Sequence, residues 1–228
     1  MTKIVRQMPI VLKTGALLLM ALFTLSFVIH AADFGQAGLR NALPEPHRLQ
    51  SDSVAANLGI FAHMITGAII TLLAPFQLMG PLRHRWPTLH RLSGRILVTT
   101  AFLTAICGLT YIALRGTIGG PMMNIGFSLY GILLLYCAVE TIRYARKGAF
   151  DQHRAMALRL FWLAMGSWLY RVHYALWYAA TGGLWSNRQF SGAFDHCQNF
   201  GFYLPYLLGV QVYLFWIQQG ARQRDAIL

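Results

Sequence analysis

Charged residues are scarce in this chain. Only 11% of its 228 residues are charged, whereas 56% are apolar. Soluble globular domains carry about 25% charged residues, so this shortage excludes an ordinary soluble domain. Acidic residues are the scarcest, with seven against nineteen lysines and arginines. The basic residues flank apolar runs, where they bind anionic headgroups, so we expect membrane lipids rather than nucleic acid as partners.

Cysteine and catalytic motifs are also rare. Of the three cysteines, Cys107 and Cys137 lie in apolar runs as small hydrophobic residues, and Cys197 has no neighbouring cysteine for an internal disulfide. The sequence contains no glycine-rich phosphate loop after a strand, no HExxH and no GxSxG. These absences exclude several enzyme classes and leave open whether the protein is an enzyme.

Six apolar runs are each about as long as a membrane span. A helix needs about 20 apolar residues to cross the hydrocarbon core. The sequence therefore predicts an all-α, polytopic membrane protein with six transmembrane helices in a single domain, 1–228. Spans two to five are expected to form a four-helix core, with the first and last spans flanking it. The predicted spans are 11–31, 55–79, 96–115, 122–142, 157–181 and 201–219.

Lysine and arginine are concentrated in alternate connections, chiefly 81–95 and 143–154. Short loops with this bias stay in the cytoplasm, so both termini are predicted to be cytoplasmic in a bacterial inner membrane. The proline-rich connection 81–95 is expected to be a turn at headgroup level. Span one could be a signal peptide, but its apolar run, 14–32, is longer than a usual signal core and favours a retained anchor.

Ionisable residues inside apolar spans are costly and often functional. His63 in span two and His173 in span five each lie eight residues, about 12 Å, from the predicted outer end. Two histidines at one depth on antiparallel helices predict the two axial ligands of a b-type haem. Arg171 could neutralise a haem propionate. Alternatively, this arginine could pair with Asp52 or Asp195, or its side chain could extend to the outer membrane interface.

Two glycines strengthen the haem hypothesis. Gly59 and Gly67 stand four residues before and after His63, so all three lie on one helix face. Such a face would let a porphyrin approach the backbone. The alternative is small-residue helix packing, with His63 hydrogen-bonded to a neighbouring helix.

A second histidine pair lies at the inner ends of spans three and five. His90 and His153 could hold a second haem, although both stand beside arginines, where a solvated role is common. Their surroundings, His90-Arg91 with Arg95 and His153-Arg154 with Arg159, suggest a parallel internal repeat. Glu140 is expected to pair with Arg143 on its own helix or with Arg159 on another.

Three outer histidines, His30, His47 and His196, could bind copper or zinc together with Asp195 and Cys197. Their spacing matches no dense ligand motif. A solvated role is the more usual one for scattered loop histidines.

Several of these residues resemble a bacterial integral-membrane family known only as domain of unknown function 2306. The resemblance covers about 58–175 and implies the membrane fold without an activity. It is carried by His63 with Gly67, LHRLSGR at 89–95, Gly126-Phe127, HRAMALR at 153–159 and Arg171. By analogy of architecture the core also resembles cytochrome b561-type electron carriers. It departs from them because span four has no histidine and span five would carry two ligands.

The specific function predicted is that of a haem b-binding electron carrier, which would exchange electrons with a quinone or a membrane protein partner. The alternative is a non-enzymatic membrane carrier or accessory subunit without haem.

The charge pattern makes a topological prediction. Reporter fusions within 83–91 and 146–154 should be active only for a cytoplasmic reporter, because arginine-rich connections resist translocation. A fusion within 182–200 is the control and should show the opposite polarity. Periplasmic signals from either basic connection would contradict the predicted orientation.

Overall fold

A computed structural model describes residues 10–44 and 47–225, with side chains for 12–44 and 47–220. All the described residues lie in helices or in irregular connections between them. This confirms the all-α prediction. The eight helices are α1 (Ile10–Leu39), α2 (Val54–Gln77), α3 (Gly80–Arg85), α4 (Pro87–Arg115), α5 (Gly120–Arg146), α6 (Phe150–Thr181), α7 (Ala193–Gly201) and α8 (Leu204–Asp225).

Five helical segments in the described part of the chain are long and apolar enough to cross a membrane. They are Leu12–Leu39, Val54–Gln77, Pro87–Arg115, Gly120–Arg146 and Ala193–Gly220. The membrane character of the chain is therefore confirmed. Helix α6 has the length of a span but is not one of the five. The predicted number of six spans is thus not confirmed.

Helix boundaries differ from the sequence prediction in two connections. The segment 81–95, expected to be a turn, is helical except at Trp86. Proline stands in the first turn of both α3 and α4, where its missing N–H costs no hydrogen bond and its fixed φ favours helix. The outer connection 182–200 likewise contains most of α7. Pro81 and Pro87, which suggested a turn, instead lie in the first turns of helices.

The chain divides into two compact units, Met1–Thr117 and Ile118–Leu228. The first contains α1 to α4. Gly38 and Gly35 of α1 contact Phe61 and Ile65 of α2, so these helices are antiparallel. A Cβ atom at Gly38 would lie 2.2 Å from the Phe61 ring. Absence of that carbon lets the two helices approach closely.

Helices α2 and α4 form an antiparallel pair in the same unit. At one end, Gln77 donates to the Ser93 hydroxyl at 2.6 Å. Nearer the other end, the position of a Cβ on Gly59 lies 3.0 Å from the Cys107 carbonyl oxygen. Beyond it, Arg115 donates to the Gln50 carbonyl at 3.2 Å. This last bond attaches the connection before α2 to the end of α4.

The second unit contains α5 to α8. Tyr130 of α5 donates to the Leu163 carbonyl of α6 at 2.5 Å, and both side chains are buried. Gly126 of α5 lies against Asn199 of α7, and Tyr203 donates to the Gly126 carbonyl at 3.1 Å. The predicted single domain and four-helix core stay predictions, because α2 and α4 belong to the first unit and α5 and α6 to the second.

Close packing at Gly126 predicts a large effect of a small substitution. The Cβ of Gly126→Ala would lie 2.6 Å from the backbone oxygen of Asn199, so α7 must shift and unfolding should become easier by about 1–3 kcal/mol. Thermal unfolding in detergent measures the change. Gly209→Ala is the control, because no atom lies within 4 Å of the new carbon and alanine favours helix. Equal melting temperatures for the two variants would contradict the packing described.

Candidate functional site

His63 is held by a hydrogen bond from α2 to α4. Its Nδ1 lies 2.8 Å from the carbonyl oxygen of Thr104. A carbonyl only accepts, so Nδ1 carries the proton and the lone pair of the neutral ring is on Nε2. Gly108 makes room for the ring, since a Cβ there would lie 2.8 Å from His63 Nδ1. The half-buried ring is therefore fixed in both orientation and tautomer.

The predicted face of Gly59, His63 and Gly67 is confirmed as one face, and it contacts α4. A Cβ on Gly59 would meet the Cys107 carbonyl oxygen, and one on Gly67 would lie 3.9 Å from Thr104 Cγ2. Helix α4 thus packs along this face within the first unit. This arrangement is the one expected from small-residue helix packing.

His173 on α6 has hydrogen-bond partners at both ring nitrogens. Nε2 lies 2.7 Å from the Tyr206 hydroxyl, and Nδ1 lies 3.0 Å from the side-chain nitrogen of Gln198. The Tyr206 ring also stacks on the imidazole, with centroids 5.9 Å apart. These partners lie more than twenty residues along the chain, so local sequence patterns gave no signal of them.

The two candidate haem ligands lie in different units. His63 bonds to α4 in Met1–Thr117, whereas His173 bonds to α7 and α8 in Ile118–Leu228. Each imidazole is thus held by its own unit. Their joint coordination of one haem stays a prediction.

Arg171 and Glu140 form hydrogen bonds within their own helices. Arg171 donates to the carbonyl and hydroxyl oxygens of Ser167 at 2.8 and 3.1 Å. Glu140 forms an ion pair with Arg143, whose Nε donates to Oε2 at 2.9 Å. The first of the two pairings expected for Glu140 is therefore confirmed. Arg159 instead donates to Gln211 on α8.

His90 and His153 occupy equivalent positions as the fourth residue of α4 and of α6. His153 Nδ1 lies 2.9 Å from the Thr141 carbonyl oxygen, which fixes its tautomer in the same way as for His63. Both side chains are half-buried. They belong to different units, so a second haem between them also stays a prediction.

The buried carboxylate of Asp195 accepts a set of hydrogen bonds that the sequence did not predict. Asp195 on α7 is fully buried and accepts from the hydroxyls of Tyr174 and Ser186 at 2.7 Å each. The backbone N–H groups of Asn187 and Gly192 donate to its other oxygen at 3.1 and 2.9 Å. Four donors converge on one carboxylate, which fastens the 182–192 connection to α6.

The predicted metal site of the outer histidines is not formed by the described side chains. Among the described residues, no group of three or more His, Cys, Asp or Glu side chains is placed to hold a metal ion. His47 Nδ1 accepts from the Leu49 N–H at 3.2 Å, and His30 lies beside Phe34. Cys197 is exposed.

Removal of the Asp195 carboxylate should destabilise the second unit. In Asp195→Ala, two hydroxyls and two N–H groups lose their acceptor, and the stability should fall by about 2–4 kcal/mol. Thermal unfolding in detergent and protease cleavage within 182–192 would both report the loss. The control Asp151→Ala removes an exposed carboxylate from the first turn of α6, which should cost less than about 1 kcal/mol. A melting temperature unchanged in Asp195→Ala would contradict the fastening role.

Comparison with known proteins gives one match. The model of a family described as predicted membrane protein (DUF2306) matches residues 60–189. This range is more than half of the chain and includes His63, His90, His153, Arg171 and His173. Searches of curated proteins and of solved structures found no match. The helical membrane-type fold and this match together show that the chain belongs to the DUF2306 family of membrane proteins.

Proposed function

We propose that this membrane protein binds haem b and carries electrons, with His63 as an axial ligand. The observation that supports the proposal is the hydrogen bond from His63 Nδ1 to the Thr104 carbonyl. Metal-binding histidines commonly donate their second ring N–H to a carbonyl or carboxylate, which orients the ring and makes the ligating nitrogen more basic. In His63 that bond leaves Nε2 as the basic nitrogen.

Other residues would hold and tune the group. Arg171 is an exposed guanidinium that could exchange its Ser167 contacts for a propionate. His173 could act as the second ligand only by giving up its bond to Tyr206 or that to Gln198. A bound haem supplies one-electron transfer, and the partners proposed are a quinone or another membrane protein.

We also propose that the protein lies in a bacterial inner membrane with six spans and both termini in the cytoplasm. Helix α6 is the additional span in this arrangement and corresponds to predicted span five, 157–181. Its 32 residues are long enough to cross, and its central residues Leu163, Ala164 and Met165 are buried. Polar residues in a span are tolerated where other helices supply their partners, as Tyr206 and Gln198 do for His173.

A haem-free accessory subunit or small-molecule carrier is the second candidate. Two observations favour it. Both ring nitrogens of His173 already have partners in the second unit, and α4 packs along the glycine face of α2. On this alternative the histidines are structural groups that join helices.

An absorption spectrum tests the haem proposal. Protein purified in detergent should show a Soret band and, after dithionite, a sharpened α band. His63→Ala should lose at least 90% of this absorbance because Nε2 is the proposed ligand. His30→Ala, an exposed histidine on α1, is the matched control and should keep it.

Thermal unfolding of both variants separates loss of the ligand from loss of the fold. Colourless wild-type protein with a cooperative unfolding transition would overturn the proposal and support the haem-free candidate. A spectrum retained in a folded His63→Ala variant would exclude His63 as the ligand.

A further inference from the structure

An open hollow lies where α3 meets α4 in the first unit. It has a volume of about 540 Å³ and is lined by Arg85, Trp86, Pro87, Thr88, Leu89 and Leu92. Trp86 is 55% exposed, and the Arg85 guanidinium carbon lies 5.8 Å from the centre of its ring. The lining thus combines a cation, an aromatic ring and apolar side chains. We call this feature the α3–α4 hollow.

Positive charge dominates the surroundings of the hollow. Arg83, Arg85, Arg91 and Arg95 are all exposed, and no acidic residue occurs anywhere from 53 to 139. The described acidic residues of this unit are Asp33 and Asp52, and Asp33 lies two residues from Gly35, which contacts Ile65 near the middle of α2. Asp52 precedes the first turn of α2, whereas the hollow follows its last turn. These exposed arginines therefore attract an anion at the hollow.

An apolar strip continues from the hollow along α4. Leu89, Leu92 and Ile96 are 51%, 55% and 45% exposed. Their spacing of three and four residues places them on one side of the helix. Trp86 stands at the hollow end of the strip, and tryptophan is enriched where headgroups meet hydrocarbon. The strip thus runs about 10 Å along one side of α4, while Arg91 and Arg95 are exposed elsewhere on the same helix.

We propose that the α3–α4 hollow binds an anionic phospholipid. The headgroup phosphate lies against Arg85, whose planar guanidinium matches phosphate oxygens. An acyl chain lies along Leu89, Leu92 and Ile96. The apolar strip argues for a lipid rather than free phosphate, because a free anion would leave these leucines without a partner.

Lipid binding at the hollow does not depend on haem. The lining residues of the hollow have no role in the haem proposal, and a colourless protein can bind the lipid equally well. The lipid would hold the α3–α4 corner at headgroup depth.

Titration of the detergent-purified full chain with phosphatidylglycerol, followed by native mass spectrometry, tests the proposal. Phosphatidylcholine has the same phosphate and chains without net charge, and should bind at least fivefold more weakly. Inorganic phosphate at the same concentration should not displace phosphatidylglycerol. Equal binding of the two lipids, or displacement by inorganic phosphate, would overturn the proposed occupant.

Variants locate the site. Arg85→Gln should weaken phosphatidylglycerol binding about fivefold, as expected for loss of one interfacial cation. Leu92→Gln should also weaken it, because the acyl chain loses its contact. Both side chains are exposed, so their melting temperatures should match that of the wild type. Arg40→Gln, an exposed arginine at the other end of the unit, is the control and should bind normally. Wild-type affinity in both Arg85→Gln and Leu92→Gln would place the lipid elsewhere and contradict the inference.

Discussion

A polar side chain between apolar helices must find its hydrogen-bond partner within the protein, since hydrocarbon offers none. This constraint shapes both units. His63 bonds to a carbonyl of α4, Tyr130 to a carbonyl of α6, and His173 to a hydroxyl of α8. Each bond fixes the rotation and depth of two helices, which nearly uniform apolar faces would leave undetermined. Few polar residues thus specify the packing of a largely apolar chain.

Glycine provides the second part of this packing. At Gly38 and Gly126 a Cβ atom would overlap a neighbouring helix, so the missing side chain sets how closely the helices approach. Small residues matter here because lipid competes equally for apolar surface, and close contact must supply the attraction between helices. Gly59 is in similarly close contact, because a Cβ there would lie 3.0 Å from the carbonyl oxygen of Cys107.

The hydrogen bond of His63 is compatible with two roles. A carbonyl partner at Nδ1 both joins α2 to α4 and directs the basic lone pair to Nε2. The first effect alone describes a structural histidine; the second is what a metal ligand requires. At His173 both ring nitrogens have partners, Tyr206 and Gln198, so ligation there would cost the free energy of breaking one of these bonds. The haem and haem-free proposals therefore differ in the roles they give to His63 and His173. The proposed lipid site at Arg85 involves neither histidine.

The sequence by itself determined the helical membrane class, the family and the shared face of Gly59, His63 and Gly67, because hydropathy, length and the helical period are local properties. It also indicated the Glu140–Arg143 pair, whose members are three residues apart. The partners of His173, the four donors to Asp195 and the hollow at Arg85 were decided only by the tertiary structure. These contacts join residues distant along the chain or depend on how two helices meet, and neither spacing nor composition records that geometry.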